Sequence, residues 1–212
     1  MKLTRTFLIA LAIVGLFTAI SLQPTDAAAL SVQYTGVTSG NYAIYNGYYA
    51  GFYNLSVEGK GQTVLGMCDD FLTHVPSGSW NATLNSTEDI VAGAGRWGNL
   101  ATYNVIGYLF MQTYGATTAQ QLADINAAIW RVTYDGLALT GNALALYDDA
   151  KDQTDFTDWY GKMLFLTPEF SNGEWASQEY LVQAPVPEPA TLFLLGTGLL
   201  GLAGIGRKKL KR

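Results

Sequence analysis

Apolar residues follow four regimes along this chain. From Phe7 to Ile20 they run almost unbroken. Between 30 and 75 they come in short stretches with a period of two. From Asn99 onward they recur every three or four residues, and from 191 to 206 they again form an uncharged run. The period-two part predicts strands. Tyr42-Ala43-Ile44-Tyr45 and Phe52–Val57 are separated by Asn46-Gly47 and followed by Glu58-Gly59-Lys60-Gly61. In the second stretch Tyr53, Leu55 and Val57 share one face, and Phe52, Asn54 and Ser56 share the other. Asn-Gly between two such runs is a strong hairpin signal. Residues 62–67 predict a further strand that leads into Cys68. Residues 76–98, rich in Gly, Ser and Asn, predict loop.

The period then changes. Residues 101–114 predict a helix with Val105, Leu109 and Gln112 on one side, stopped at Gly115. Thr118 followed by Gln121 fits a capping box. It opens a helix to about Thr133 whose stripe is Leu122, Ile125, Ile129 and Val132. Two more helices are predicted, over 142–152 with Leu144 and Tyr147, and over 155–166 with Phe156, Trp159, Met163 and Leu164. Residues 174–182 predict a last strand. Strands first and helices later give an α+β class, an N-terminal antiparallel β-sheet or barrel packed with a C-terminal helical part.

The two unbroken runs are addresses rather than core. Lys2 and Arg5 precede the first, and Ala27-Ala28-Ala29 follows it as a small-residue cleavage site, so residues 1–29 predict a secretory signal peptide. The second run would make a helix about 24 Å long, at the short end of what a bilayer core requires. Arg207, Lys208, Lys209, Lys211 and Arg212 after it hold that end in the cytoplasm and put the rest of the chain outside. Pro187 and Pro189 keep the backbone extended just before the run, which suits a protease. Between the two ends lies one domain, residues 30–185.

Charge divides along the same lines. The chain carries 12 basic and 17 acidic residues, net −5. The signal peptide and tail hold seven of the cations. The domain keeps five against fifteen acids, a net charge near −10. Phosphate neutralisation needs clustered Lys and Arg, so nucleic acid is excluded as a partner.

Val186-Pro187-Glu188-Pro189, the glycine-rich apolar run at 191–206 and the basic end closely resemble the PEP-CTERM sorting signal of Gram-negative bacteria. The resemblance covers only about 27 residues. It implies export by the Sec machinery, signal-peptidase cleavage and transient anchoring in the inner membrane. It also implies cutting by the membrane peptidase exosortase and passage to the envelope or exterior. Such proteins often accompany exopolysaccharide and biofilm production.

A second resemblance lies inside the domain. Met67-Cys68-Asp69 follows a strand, and Ile125-Asn126-Ala127-Ala128-Ile129-Trp130 lies on a helix. The pattern resembles the thioester-domain adhesins of bacterial surfaces. In that family a Cys and a Gln form an internal thioester that a surface nucleophile opens. Cys68 matches the Cys, but Asn126 stands where the family has Gln. Asn is one methylene shorter, so its carbonyl reaches about 1.3 Å less far. The resemblance implies a Cys68–Asn126 thioester or the same fold without the bond.

Other groups are weaker candidates. Asp69, Asp70 and His74 place two carboxylates and the sole His within six residues, which suits acid–base work on a polysaccharide. One His with no other His or Cys ligand is a poor zinc site. Asp148, Asp149, Asp152, Asp155 and Asp158 do not have the spacing of a calcium loop and read as a solvated face, with Asp155 as a cap. Aromatics from Tyr34 to Tyr53, with Trp80 and Trp97, could stack on sugar rings. No phosphate loop, nucleophile elbow or His-Glu-x-x-His stretch occurs. The reading is a non-catalytic exported protein with no cofactor and no metal.

Overall fold

A computed structural model describes residues 29–184, apart from 60 and 62. The signal peptide through residue 28, the Val186–Pro189 motif, the helix at 191–206 and the basic tail lie outside the described residues. Among those described, no helix is long and apolar enough to cross a membrane.

The elements in order are β1 (Leu30–Gly36), β2 (Tyr42–Tyr45), β3 (Tyr48–Gly51), β4 (Tyr53–Val57), β5 (Thr63–Cys68) and β6 (Ser79–Asn85). Then come α1 (Thr87–Val91), α2 (Leu100–Met111), α3 (Ala119–Thr133) and α4 (Gly141–Asp152). The chain returns to β structure with β7 (Met163–Pro168), β8 (Phe170–Ser171), β9 (Glu174–Trp175) and β10 (Tyr180–Gln183). Six strands close an antiparallel barrel in the order β1-β4-β5-β10-β7-β6. The α+β class stands, but the sequential division does not. The helices are an insertion between β6 and β7, and the C-terminal strands return to close the barrel.

Barrel closure explains two departures from the periodicity. Ser79–Asn85 looks like loop by composition, yet Trp80 and Ala82 alternate inward and the strand pairs with both β1 and β7. Met163–Pro168 was expected in a helix over 155–166. Only Thr157–Trp159 is helical there, as a 3-10 turn, and Gly161 at φ 71° separates it from β7. Pairing with β6 and β10 outweighs a three-to-four spacing over so few residues. The strand expected at 174–182 is likewise split. Glu174–Trp175 closes a small hairpin with β8, and Tyr180–Gln183 enters the barrel.

Strands β7 and β10 and the last three residues of β5 are buried on both faces. Tyr180 and Val182 join the cluster inside the barrel with Val32, Leu55, Trp80 and Leu166. Leu181, Met67 and Phe165 face outward into a second cluster with Tyr103, Ile106, Leu109, Phe110 and Ile129. The helical layer covers that outer face. At its closest point Gly107 of α2 meets Trp159, where a Cβ would lie 2.4 Å from the indole.

Helix α3 is the central element. Thr118 caps it and Gln121 reciprocates, as its sequence predicts. Every residue from Leu122 to Trp130 is buried, including Asp124 and Asn126. A four-residue stripe is therefore too narrow a description. The helix lies between α2 and α4 on one side and the β2–β3 hairpin on the other. That hairpin turns at Asn46 and Gly47, both at positive φ, as a type I′ turn requires. In α4 the buried residues are Ala143 and Ala150, while Leu144 is exposed.

Candidate functional site

Helix α3 presents Asn126, Trp130 and Thr133 at spacings of four and three, hence on one face. All three hold the end of β5. Asn126 Nδ2 donates to the Cys68 carbonyl at 2.7 Å, Trp130 Nε1 donates to Cys68 Sγ at 3.2 Å, and Thr133 Oγ1 donates to the Asp69 carbonyl at 2.6 Å. Asn126 Oδ1 also accepts from the Gly51 amide at 2.8 Å. One side chain thus ties the helix to β3 and β5 together. Gly51 has φ 125°, and a Cβ there would meet the Asn41 carbonyl at 2.4 Å.

The structure therefore brings Cys68 and Asn126 into contact, but through the backbone of Cys68. Cys68 is a free, fully buried cysteine. Burial pushes its thiol up to about 12, against the hydrogen bond from Trp130, which lowers it. A protonated thiol is a poor nucleophile.

Asp69 and Asp70 point into a buried polar cluster that the sequence did not reveal. Arg96 Nη2 lies 2.6 Å from Asp70 Oδ2, with both side chains almost fully buried. Its guanidinium also donates to the Ser177 carbonyl at 3.0 Å and to Thr73 Oγ1 at 2.6 Å. It sits over the rings of both Trp97 and Trp175, 5.2 Å from each centroid. Asp70 Oδ1 accepts from the Leu72 and Thr73 amides and so fixes the turn after β5. Glu179, fully buried, accepts from Tyr103 at 2.7 Å, Thr167 at 2.5 Å and the Arg96 amide at 3.2 Å.

Asp69 Oδ2 accepts from Trp97 Nε1 at 3.0 Å, but its Oδ1 finds no donor. A proton on Asp69, directed at the neighbouring Glu179 carboxylate, would close that gap. Burial first, and the Glu179 charge second, push Asp69 well above 3.8. The folded protein thus keeps a proton that the unfolded chain releases above about pH 4. The resulting stability is complete below that value and is lost as pH rises toward the folded pKa. An Asp69→Asn variant holds the neutral form at every pH. Its denaturant midpoint is expected to fall less than that of the wild type as pH rises above about 4. An undiminished slope would remove Asp69 from this role.

The acid–base trio does not assemble. Asp69 and Asp70 are buried, Asp70 in an ion pair, while His74 is exposed. The acidic run remains at the surface, where Asp149 accepts from Tyr108 and Asp155, one residue ahead of the N-cap Phe156 rather than at it, accepts from the Thr157 amide. Of the aromatics, Trp80 stacks on Tyr180 in the barrel core and Trp97 serves Asp69. The tyrosines divide differently. Tyr34, Tyr48, Tyr49 and Tyr53 line a cleft of about 320 Å³, with Phe71 and Trp130. A larger cavity of about 550 Å³ lies among the 3-10 turn Gln112–Gly115, α3 and α4, next to Asp124 and Asp149.

Beyond the domain, a comparison decides the nature of the C-terminus. Residues 185–208 match the PEP-CTERM protein-sorting motif. The motif implies an exported protein, anchored in the membrane before exosortase processes it. No curated protein and no solved structure matches the chain. The resemblance of its middle part to thioester-domain adhesins gains no support from these comparisons.

Proposed function

We propose that the chain is a non-catalytic surface or matrix protein that loses both ends during export. Signal peptidase removes residues 1–29, and exosortase cuts within Val186–Pro189. The domain of residues 30–185 then resides in the outer envelope or outside the cell, where it contacts exopolysaccharide and contributes to adhesion. The sorting motif at 185–208 carries this reading. The acidic domain supports it, because a net charge near −10 favours solubility and opposes contact with anionic surfaces. In cells lacking exosortase the chain is expected to accumulate in the inner membrane with its signal peptide removed and its C-terminal tail uncut. Unchanged release from such cells would contradict the proposal.

A covalent adhesin is the competing reading, and one observation favours it: Asn126 and Cys68 touch. The link would form when the Cys68 thiol attacks the Asn126 amide carbon, releasing ammonia and leaving a thioester. Against it, both ends of the amide already hold backbone partners and the thiol is buried and protonated. We therefore assign Asn126 as a non-covalent latch. Incubation with methylamine separates the two. It adds across a thioester and leaves the latch unchanged.

A further inference from the structure

We infer that the tyrosine cleft binds an uncharged glycan chain, and that it lies at the end of the barrel opposite Leu30 and Ala184. This rests on the exported-protein reading only for where the glycan is met. The cleft has a floor and a rim. Trp130 and Tyr53 form the floor above Cys68. Tyr48 and Tyr49 stand at the rim, 53% and 49% exposed. Each rim ring is braced. Tyr48 meets Phe71 edge-on at 4.9 Å, and Tyr49 meets Tyr42 at 5.0 Å. Phe71 in turn stacks on Tyr134 and leans on Trp130. Rings held in place before binding lose little freedom on contact.

The lining specifies the ligand. His74 and the Thr73 hydroxyl, which already accepts from Arg96, add hydrogen-bonding groups, Gln178 is held by the Asp70 carbonyl and Tyr180, and among the described residues no carboxylate, Lys or Arg lines the cleft. A pyranose ring has an apolar C–H face and a rim of hydroxyls. Flat aromatic faces with polar groups around them match both. The surrounding domain is strongly acidic, so a polyuronate would be repelled where a neutral polymer would not. The volume of about 320 Å³ suits a short stretch of such a chain.

Topology sets the orientation. β4 begins, and β1 and β5 end, at the cleft. Gln178 lines the cleft two residues before β10 starts. β10 then runs to the far end, where Ala184 bonds to the Lys162 carbonyl. Leu30 enters β1 at that same far end, since β1 is antiparallel to β4. Both chain ends therefore connect away from the cleft.

The test uses the processed protein recovered from culture, with the full chain in detergent alongside. Cellohexaose, maltohexaose, mannohexaose and laminarihexaose are titrated by calorimetry and by quenching of tryptophan fluorescence, with an oligomannuronate as the anionic probe. At least one neutral oligomer is expected to bind. Tyr48→Ala and Tyr49→Ala should each weaken it about tenfold, and Tyr48→Phe should retain most of it. Both tyrosines are exposed, so the variants should fold. No binding by any neutral oligomer, equal binding by the alanine variants, or a preference for the uronate would overturn the site. Loss of self-association in Tyr48→Ala without glycan binding would also overturn it, assigning the face to a second copy. Oligomer binding by a protein that is never exported would leave the cleft standing and remove the cellular reading.

Discussion

An Arg96→Met variant is expected to lose about 3–5 kcal/mol of folding stability, as when one partner of a buried ion pair is removed. For a domain of this kind, with about 5–15 kcal/mol in total, that is a large fraction. Three consequences combine. The Asp70 carboxylate stays buried without its cation, Thr73 and the Ser177 carbonyl lose their donor, and Trp97 and Trp175 lose the guanidinium between them. Methionine keeps much of the volume, so the deficit is electrostatic rather than a cavity. The double variant Arg96→Met, Asp70→Asn should recover much of the loss. Asn still offers Oδ1 to the Leu72 and Thr73 amides but carries no charge. Denaturant unfolding reads both, and a single variant within 1 kcal/mol of wild type would show that the pair is not what fixes this region.

A Glu188→Ala variant is expected to abolish processing and leave an uncut form in the inner membrane. Pro187 and Pro189 alone keep the backbone extended, so a loss caused by Glu188 isolates recognition from accessibility. Deleting 187–212 should have the opposite phenotype, a domain free in the periplasm, because the apolar run and its five cations are then gone. Membrane and periplasmic fractions probed for residues 30–185 distinguish the two. Normal maturation of Glu188→Ala would mean that the motif is not what the peptidase reads.

Local signals made part of the fold legible. Thr118 and Gln121 mark the start of α3, and Asn46-Gly47 marks the first hairpin, because both depend on neighbouring residues only. A second Asn-Gly, at 172–173, carries the same signal between β8 and β9, with both residues at positive φ. A barrel was one of the two expected forms of the sheet, and the structure has it, but which strands close it was not legible. β6 carries its inward residues as Trp80 and Ala82 among Asn, Ser and Thr, and its partners lie as far away as residues 165–168. The Met163–Pro168 stretch has too few residues for a period to decide between helix and strand.

The candidate site was half visible. Cys68 and Asn126 meet as the motif suggested, although the contact runs through a carbonyl. Arg96 and Glu179 carried no motif, and Arg96 lies 26 residues from Asp70 and 83 from Glu179. One cue was available. With only five cations in an acidic domain, an arginine flanked by tryptophan is a candidate for burial.

The intact mass of the protein recovered from outside the cell tests the account most directly. The expected chain begins after Ala27 or Ala29, ends within Val186–Pro189 and has lost no ammonia. A released protein that still carries residues 190–212 would contradict it.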